Sequence, residues 1–172
     1  YRRGTVPMGG LFLTAGADVQ KDRIEVSIWA WGRGLESWLI DHIVIPGSSP
    51  GTGGGDAGTW ARLSALLGET WPHAGGTEIG LGRLAIDTGY EAPAVYGWVR
   101  RMGSGQVAAV KGVDGFSRAA PVSGPSYVDA TEGGRKIRRG AKLWTIAVAT
   151  FKSEAYRFLR LDKPADDGAA AC

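Results

Sequence analysis

Asp18 and Asp87 are the residues of this chain best placed to do chemistry, because each closes an apolar run. The first ends Leu11-Phe-Leu-Thr-Ala-Gly-Ala-Asp18, and the second ends Arg83-Leu-Ala-Ile-Asp87 ahead of Thr88-Gly89. Each run reads as a buried strand that delivers one carboxylate at its end. Desolvating an unpaired carboxylate is costly, so two of them at strand ends point to a shared cation or a catalytic pair. Mg2+ or Mn2+, hard ions that take oxygen ligands, suit such a pair. Either aspartate alone could equally cap the turn after its strand. Together they favour a metal site.

Other polar residues carry less. Lys111 ends a strand and Lys152 stands near the start of the last helix; each could face a phosphate or simply be solvated. Arg135, Lys136, Arg138, Arg139 and Lys142 form a basic group in a Gly-rich segment, equally open to phosphate contact or to solvation. His42 and His73 have no partner at metal-ligand spacing, which argues against zinc. Asp41, beside His42, reads as an edge position or a salt bridge. The seven tryptophans read as core and sheet-face residues.

The elements that must position the aspartates follow from periodicity. Residues 11–45 read as three strands joined by the short turns 20–23 and 32–35, an antiparallel meander. The first strand is largely apolar on both faces, as a central strand would be. The second puts Ile24, Val26, Ile28 and Ala30 on one face. A Gly/Ser/Pro loop over 46–56 follows. Thr59 then reads as the N-cap of a helix with Trp60, Leu63, Leu66, Leu67 and Trp71 on one side. Next come a strand over 81–86, a helix over 92–102 and a strand over 106–110. Residues 112–141 read as irregular. A strand over 142–148 leads into a helix over about 150–161, with Phe151, Ala155, Phe158 and Leu159 on its apolar face. A meander followed by alternating helices and strands predicts an α/β fold, a mixed sheet flanked by helices.

Composition narrows the classes. A chain of 172 residues with 44% hydrophobic and 22% charged content has the make-up of one globular domain with a real core. No apolar stretch reaches the roughly 18 residues of a membrane span. The single cysteine, Cys172, rules out a disulfide framework or a thiolate zinc site within this sequence. A net charge of +3 permits nucleic acid without requiring it. Residues 1–10 and 162–172 have the polarity of linkers, as expected for a piece of a larger protein.

The meander, the later alternation and an aspartate on the first strand together outline an RNase H-like fold. Its chemistry gathers carboxylates from neighbouring strands around two divalent ions for phosphodiester hydrolysis. Leu13-Thr-Ala-Gly-Ala-Asp-Val-Gln-Lys-Asp-Arg-Ile-Glu-Val26 resembles the start of the nuclease domain of tailed-phage terminase large subunits, the lambda-like GpA family. The resemblance continues through Trp29-Ala-Trp-Gly32, Glu36-Ser-Trp-Leu-Ile-Asp41, Ala85-Ile-Asp-Thr-Gly89, Val95-Tyr96, Ala109-Val-Lys-Gly112 and Phe151-Lys-Ser-Glu-Ala-Tyr-Arg157. It covers nearly the whole chain, with the nuclease domain over 11–161 and residues 1–10 leading from an ATPase domain.

The resemblance implies a packaging nuclease of the host cytoplasm, cutting concatemeric double-stranded DNA with two Mg2+ or Mn2+ ions held by Asp18 and Asp87. It implies a small terminase subunit and the portal or prohead as partners, and no membrane. This sequence contains no Gly-x-x-x-x-Gly-Lys-Ser/Thr phosphate cradle. Two departures keep open a non-cleaving DNA-docking or motor-assembly domain. Ala149 stands where the family pattern has an aspartate, and that pattern runs on into a further acidic residue beyond this chain. Another enzyme of the same fold, a transposase or resolvase, fits the opening block less well.

Overall fold

The computed structural model describes residues 1–47, 57–115 and 120–161. Part of the expected 46–56 loop, Arg118 and the 162–172 tail lie outside the described residues. The meander forms as expected: β1 (Phe12–Val19), β2 (Arg23–Trp31) and β3 (Ser37–Pro46) pair antiparallel. Ile24, Val26, Ile28 and Ala30 are all buried, because β2 lies between two strands and turns this face to the core.

Helix α1 (Ala57–Leu66) leads to the short strand β4 (Thr70–Pro72) and then to β5 (Glu78–Asp87). Helix α2 (Ala92–Met102) and strand β6 (Val107–Val113) follow, then β7 (Val122–Glu132), β8 (Arg135–Ala147) and helix α3 (Val148–Leu159). The sheet runs β3-β2-β1-β5-β6-β8-β7, with β4 paired to β5 off this path. β1, β5, β6 and β8 are parallel; β2 and β7 run against them, and β3, antiparallel to β2, runs with them. This mixed eight-stranded sheet, flanked by helices α1, α2 and α3, is compatible with an RNase H-like fold.

One face of the sheet is the core. Leu13, Ala15, Ala17, Leu84, Ile86, Val107, Ala109 and Leu143 point to it and cluster with Leu63 of α1 and Val95, Trp98 and Val99 of α2. The other face is open. The expectation of a β1 apolar on both sides holds for composition but not for packing, since Phe12, Gly16 and Asp18 are exposed. A bulge interrupts the β1–β5 pairing: Leu13 lies opposite Leu81, but the next residue, Thr14, lies opposite Arg83. Gly82 is the extra residue, and a Cβ there would stand 3.2 Å from the Leu13 carbonyl oxygen.

Four expectations are corrected. Thr59 is not an N-cap: α1 begins at Ala57, and the buried Thr59 hydroxyl donates to the Pro46 carbonyl at 3.2 Å. Trp71 leaves the helix for β4, because α1 ends at Leu66. Much of the supposedly irregular 112–141 stretch is a long β7–β8 hairpin. Its turn is Gly133-Gly134, both with positive φ (55° and 74°), a conformation that suits two-residue hairpins and favours glycine. Finally, α3 buries no residue, and Phe151 and Phe158 of its apolar face are exposed.

The hairpin is bent by a second irregularity. Val128 pairs with Ala141 and Ala130 with Ile137, so Arg138, Arg139 and Gly140 face the single residue Asp129. Arg139 takes a left-handed φ of 52°. Beyond the bend the hairpin crosses α2, where Gly97 makes room: a Cβ there would lie 3.0 Å from the Thr131 carbonyl oxygen.

Candidate active site

Register decides where the two aspartates go. β1 and β5 run parallel with Ala17 opposite Ile86, both buried. Asp18 and Asp87 each stand one residue further on. Side chains alternate along a strand, so both carboxylates project from the open face on neighbouring strands. Asp18 is exposed and Asp87 half-buried. Glu25 lies directly across from Asp18 on β2 and extends the row of carboxylates.

Each aspartate is oriented by a local donor. Gln20 Nε2 donates to Asp18 Oδ2 at 3.0 Å, and the Gly89 amide donates to Asp87 Oδ2 at 3.0 Å. Thr88 fixes the chain between them and β6: its amide and its hydroxyl both donate to the Val110 carbonyl, at 3.0 and 2.9 Å. Glu25 is engaged elsewhere, accepting from Arg23 Nε at 2.6 Å with His42 Nε2 at 3.7 Å. The His42 Nδ1 is in turn hydrogen-bonded to Ser27 Oγ at 3.1 Å.

The donor set of Asp18 and Asp87 is all oxygen, which fits a hard divalent cation. Among the described residues, no group of three or more His, Cys, Asp or Glu side chains is arranged to hold a metal ion. His73 accepts from the Gly75 amide through Nδ1, and Asp41 pairs with Arg3 at 2.7 Å.

The basic residues divide between locations. Lys111 is exposed, two residues past buried Ala109, so alternation turns it to the helix side, away from the aspartates. Lys152 is exposed within α3. Arg135, Lys136, Arg138 and Arg139 are exposed on the bent arm of the hairpin, in a strand and not a loop. Lys136 Nζ lies 2.9 Å from Asp129 Oδ2, the Arg139 amide donates to Asp129 Oδ1 at 3.0 Å, and the Arg139 guanidinium sits 4.4 Å from the Tyr127 ring centroid. The hydrogen bond from Lys136, then that from the Arg139 amide, hold the Asp129 carboxyl below its ordinary pKa.

Lys142 differs from this group. It stands between buried Ala141 and Leu143, so it faces the open side with the aspartates, as does Arg83 beside buried Leu84. Arg83 had no part in the reading from sequence. Its alternation with Leu84 and Ile86 could have pointed to the Asp87 face.

The family model described as "Terminase large subunit gpA, endonuclease domain" matches residues 1–172. The chain belongs to this terminase endonuclease-domain family. It is 31% identical over 163 residues to the terminase large subunit of Escherichia phage lambda, and 30% identical over 164 residues to that of Enterobacteria phage P21. Each match covers 94% of this chain but only 23% of the relative, so the chain spans about a quarter of their length. No solved structure matches it. Among the described residues of this terminase domain, no helix is long and apolar enough to cross a membrane.

Proposed function

We propose that this terminase domain is a Mg2+- or Mn2+-dependent endonuclease that cuts double-stranded concatemeric DNA during genome packaging. The observation that carries the reading is the parallel register that brings Asp18 and Asp87 to one face at the ends of adjacent strands. Asp18 and Asp87 would be the protein ligands of two divalent ions. Such ions, when bound, polarise the phosphate, activate a water and stabilise the leaving oxygen.

The chain's own residues account for the rest of the arrangement. Gln20 and the Gly89 amide each occupy one oxygen of their aspartate, which fixes both carboxylates before any ion arrives. The open face gives a phosphodiester backbone room to approach. Arg83 and Lys142 supply positive charge on that face, while Arg135, Lys136, Arg138, Arg139, Lys111 and Lys152 are candidates for phosphate contacts further out. The small terminase subunit and the portal or prohead would be the partners, in the host cytoplasm.

The test is plasmid cleavage with and without added Mg2+ or Mn2+. Cleavage should require the ion and disappear in Asp18→Asn, which keeps the shape of aspartate but loses its charge. Activity that survives both EDTA and this substitution would refute the reading. A second reading, a DNA-docking or motor-assembly domain without cleavage, is favoured by Ala149. It stands in the first turn of α3, where the family resemblance implies an aspartate.

A further inference from the structure

Asp87 is fixed by more than its strand. The Gly89 amide donates to Asp87 Oδ2 at 3.0 Å, folding the carboxylate back over the turn that follows β5. A Cβ built on Gly89 would lie 2.7 Å from that oxygen, 3.7 Å from Asp87 Cγ and 4.0 Å from Oδ1. All three nearest atoms belong to Asp87, so the conflict is with the carboxylate alone.

Two things could relieve it: the backbone could shift or the Asp87 side chain could turn. The backbone is held, because buried Thr88 binds the Val110 carbonyl through both its amide and its hydroxyl. The carboxylate is the free end of a side chain, and rotating it is cheap. Gly89 itself has no left-handed φ that would strain another residue. A side chain at 89 should therefore spare the fold and turn the carboxylate.

We propose that Gly89 is a positioning residue for Asp87, its missing side chain and its amide together aiming the carboxylate at the cation shared with Asp18. This rests on the reading of Asp87 as a cation ligand. Gly89 touches no substrate; it acts through Asp87 as an outer-shell partner acts on a metal ligand, where loss costs about 10–100-fold in affinity.

The experiment compares Gly89→Ala with Gly80→Ala and Asp87→Asn in the 172-residue chain, reading melting temperature and Mn2+ affinity by calorimetry. Gly80 is the control because a Cβ there meets nothing within 4 Å. Gly89→Ala should melt with the wild type yet bind Mn2+ at least about tenfold more weakly, while Gly80→Ala binds normally. If Asp87→Asn loses Mn2+ and Gly89→Ala keeps it, the positioning role is overturned and the metal reading stands. If Asp87→Asn keeps full Mn2+ affinity, the metal reading fails and the proposal falls with it. Should Gly89→Ala not fold, hydrogen exchange at the Gly89 amide decides. It should accelerate in Asp87→Ala, and an unchanged rate would overturn the hydrogen bond on which the proposal depends.

Discussion

The β1–β3 meander and the β7–β8 hairpin are both antiparallel, but different forces hold them. Every second residue of β2 from Ile24 to Ala30 is buried, so the meander is specified by the apolar surface it removes from water. From Arg135 to Gly140, β8 buries nothing fully. There the strand depends on a two-glycine turn, the Asp129 carboxylate across the bend, and Arg139 lying on Tyr127. Strand geometry can thus be fixed without a hydrophobic face. Where it is, the side chains stay available to a partner.

The sharpest way to break this contrast is to remove burial from the meander. Ile28 is fully buried, and Ile28→Ala should lower stability by roughly 2–5 kcal/mol. Ile137→Ala, half-buried in the hairpin arm, should cost clearly less. Urea denaturation of both variants checks the ordering, and equal losses would mean the arm is a second core.

The converse substitution should move binding and leave the fold. Replacing Arg135, Lys136, Arg138 and Arg139 with Ala should weaken binding to all duplexes alike. It should also flatten the slope of log affinity against log salt by up to about 0.9 per lost phosphate contact. Mn2+ affinity should not change, because these residues stand beyond the bend of β8, a strand that β6 separates from β5 and its Asp87. A salt slope identical to wild type would make the arm a solvated face.

A smaller effect probes the carboxylate that pins the bend. The Asp129 pKa is lowered in the folded chain, chiefly by its hydrogen bond from Lys136. Its contribution to stability is therefore present above the ordinary carboxylate value and disappears as pH falls through the lower, folded value. Melting temperature measured from pH ~2 to ~5 should show less acid dependence in Asp129→Ala than in the wild type. Parallel curves would mean the pairing with Lys136 and Arg139 adds nothing to folding.

The same contrast explains what could be read from the sequence. The meander was legible because Ile24, Val26, Ile28 and Ala30 keep strict alternation, the direct trace of one buried face. The aspartates were legible because each ends such a strand. The hairpin was not, since exposed cations carry no period and glycines that make a tight turn look like loop composition. Gly133-Gly134 between two stretches was the available signal. Helix α3 shows the opposite limit: its pattern is amphipathic, yet it buries nothing. Gly89 could not be found from sequence at all, because its role lies in a Cβ that is missing from one particular place.

The bulge at Gly82 makes β5 change phase. Its buried residues are Leu81, Leu84 and Ile86, spaced three and then two, whereas an unbroken strand would keep a spacing of two throughout. Were Gly82 paired in a regular ladder instead of bulged out, Thr14 would meet Gly82, and Ile86 would come level with Asp18. The second carboxylate would then point into the core and an isoleucine would lie in solvent. The bulge at a single glycine, five residues before Asp87, therefore sets the parity of the acidic pair. Inserting or deleting one residue between Arg83 and Asp87, where no bulge absorbs it, is a frameshift written in three dimensions, one that keeps every amino acid the chemistry needs and still separates the pair by the thickness of the sheet.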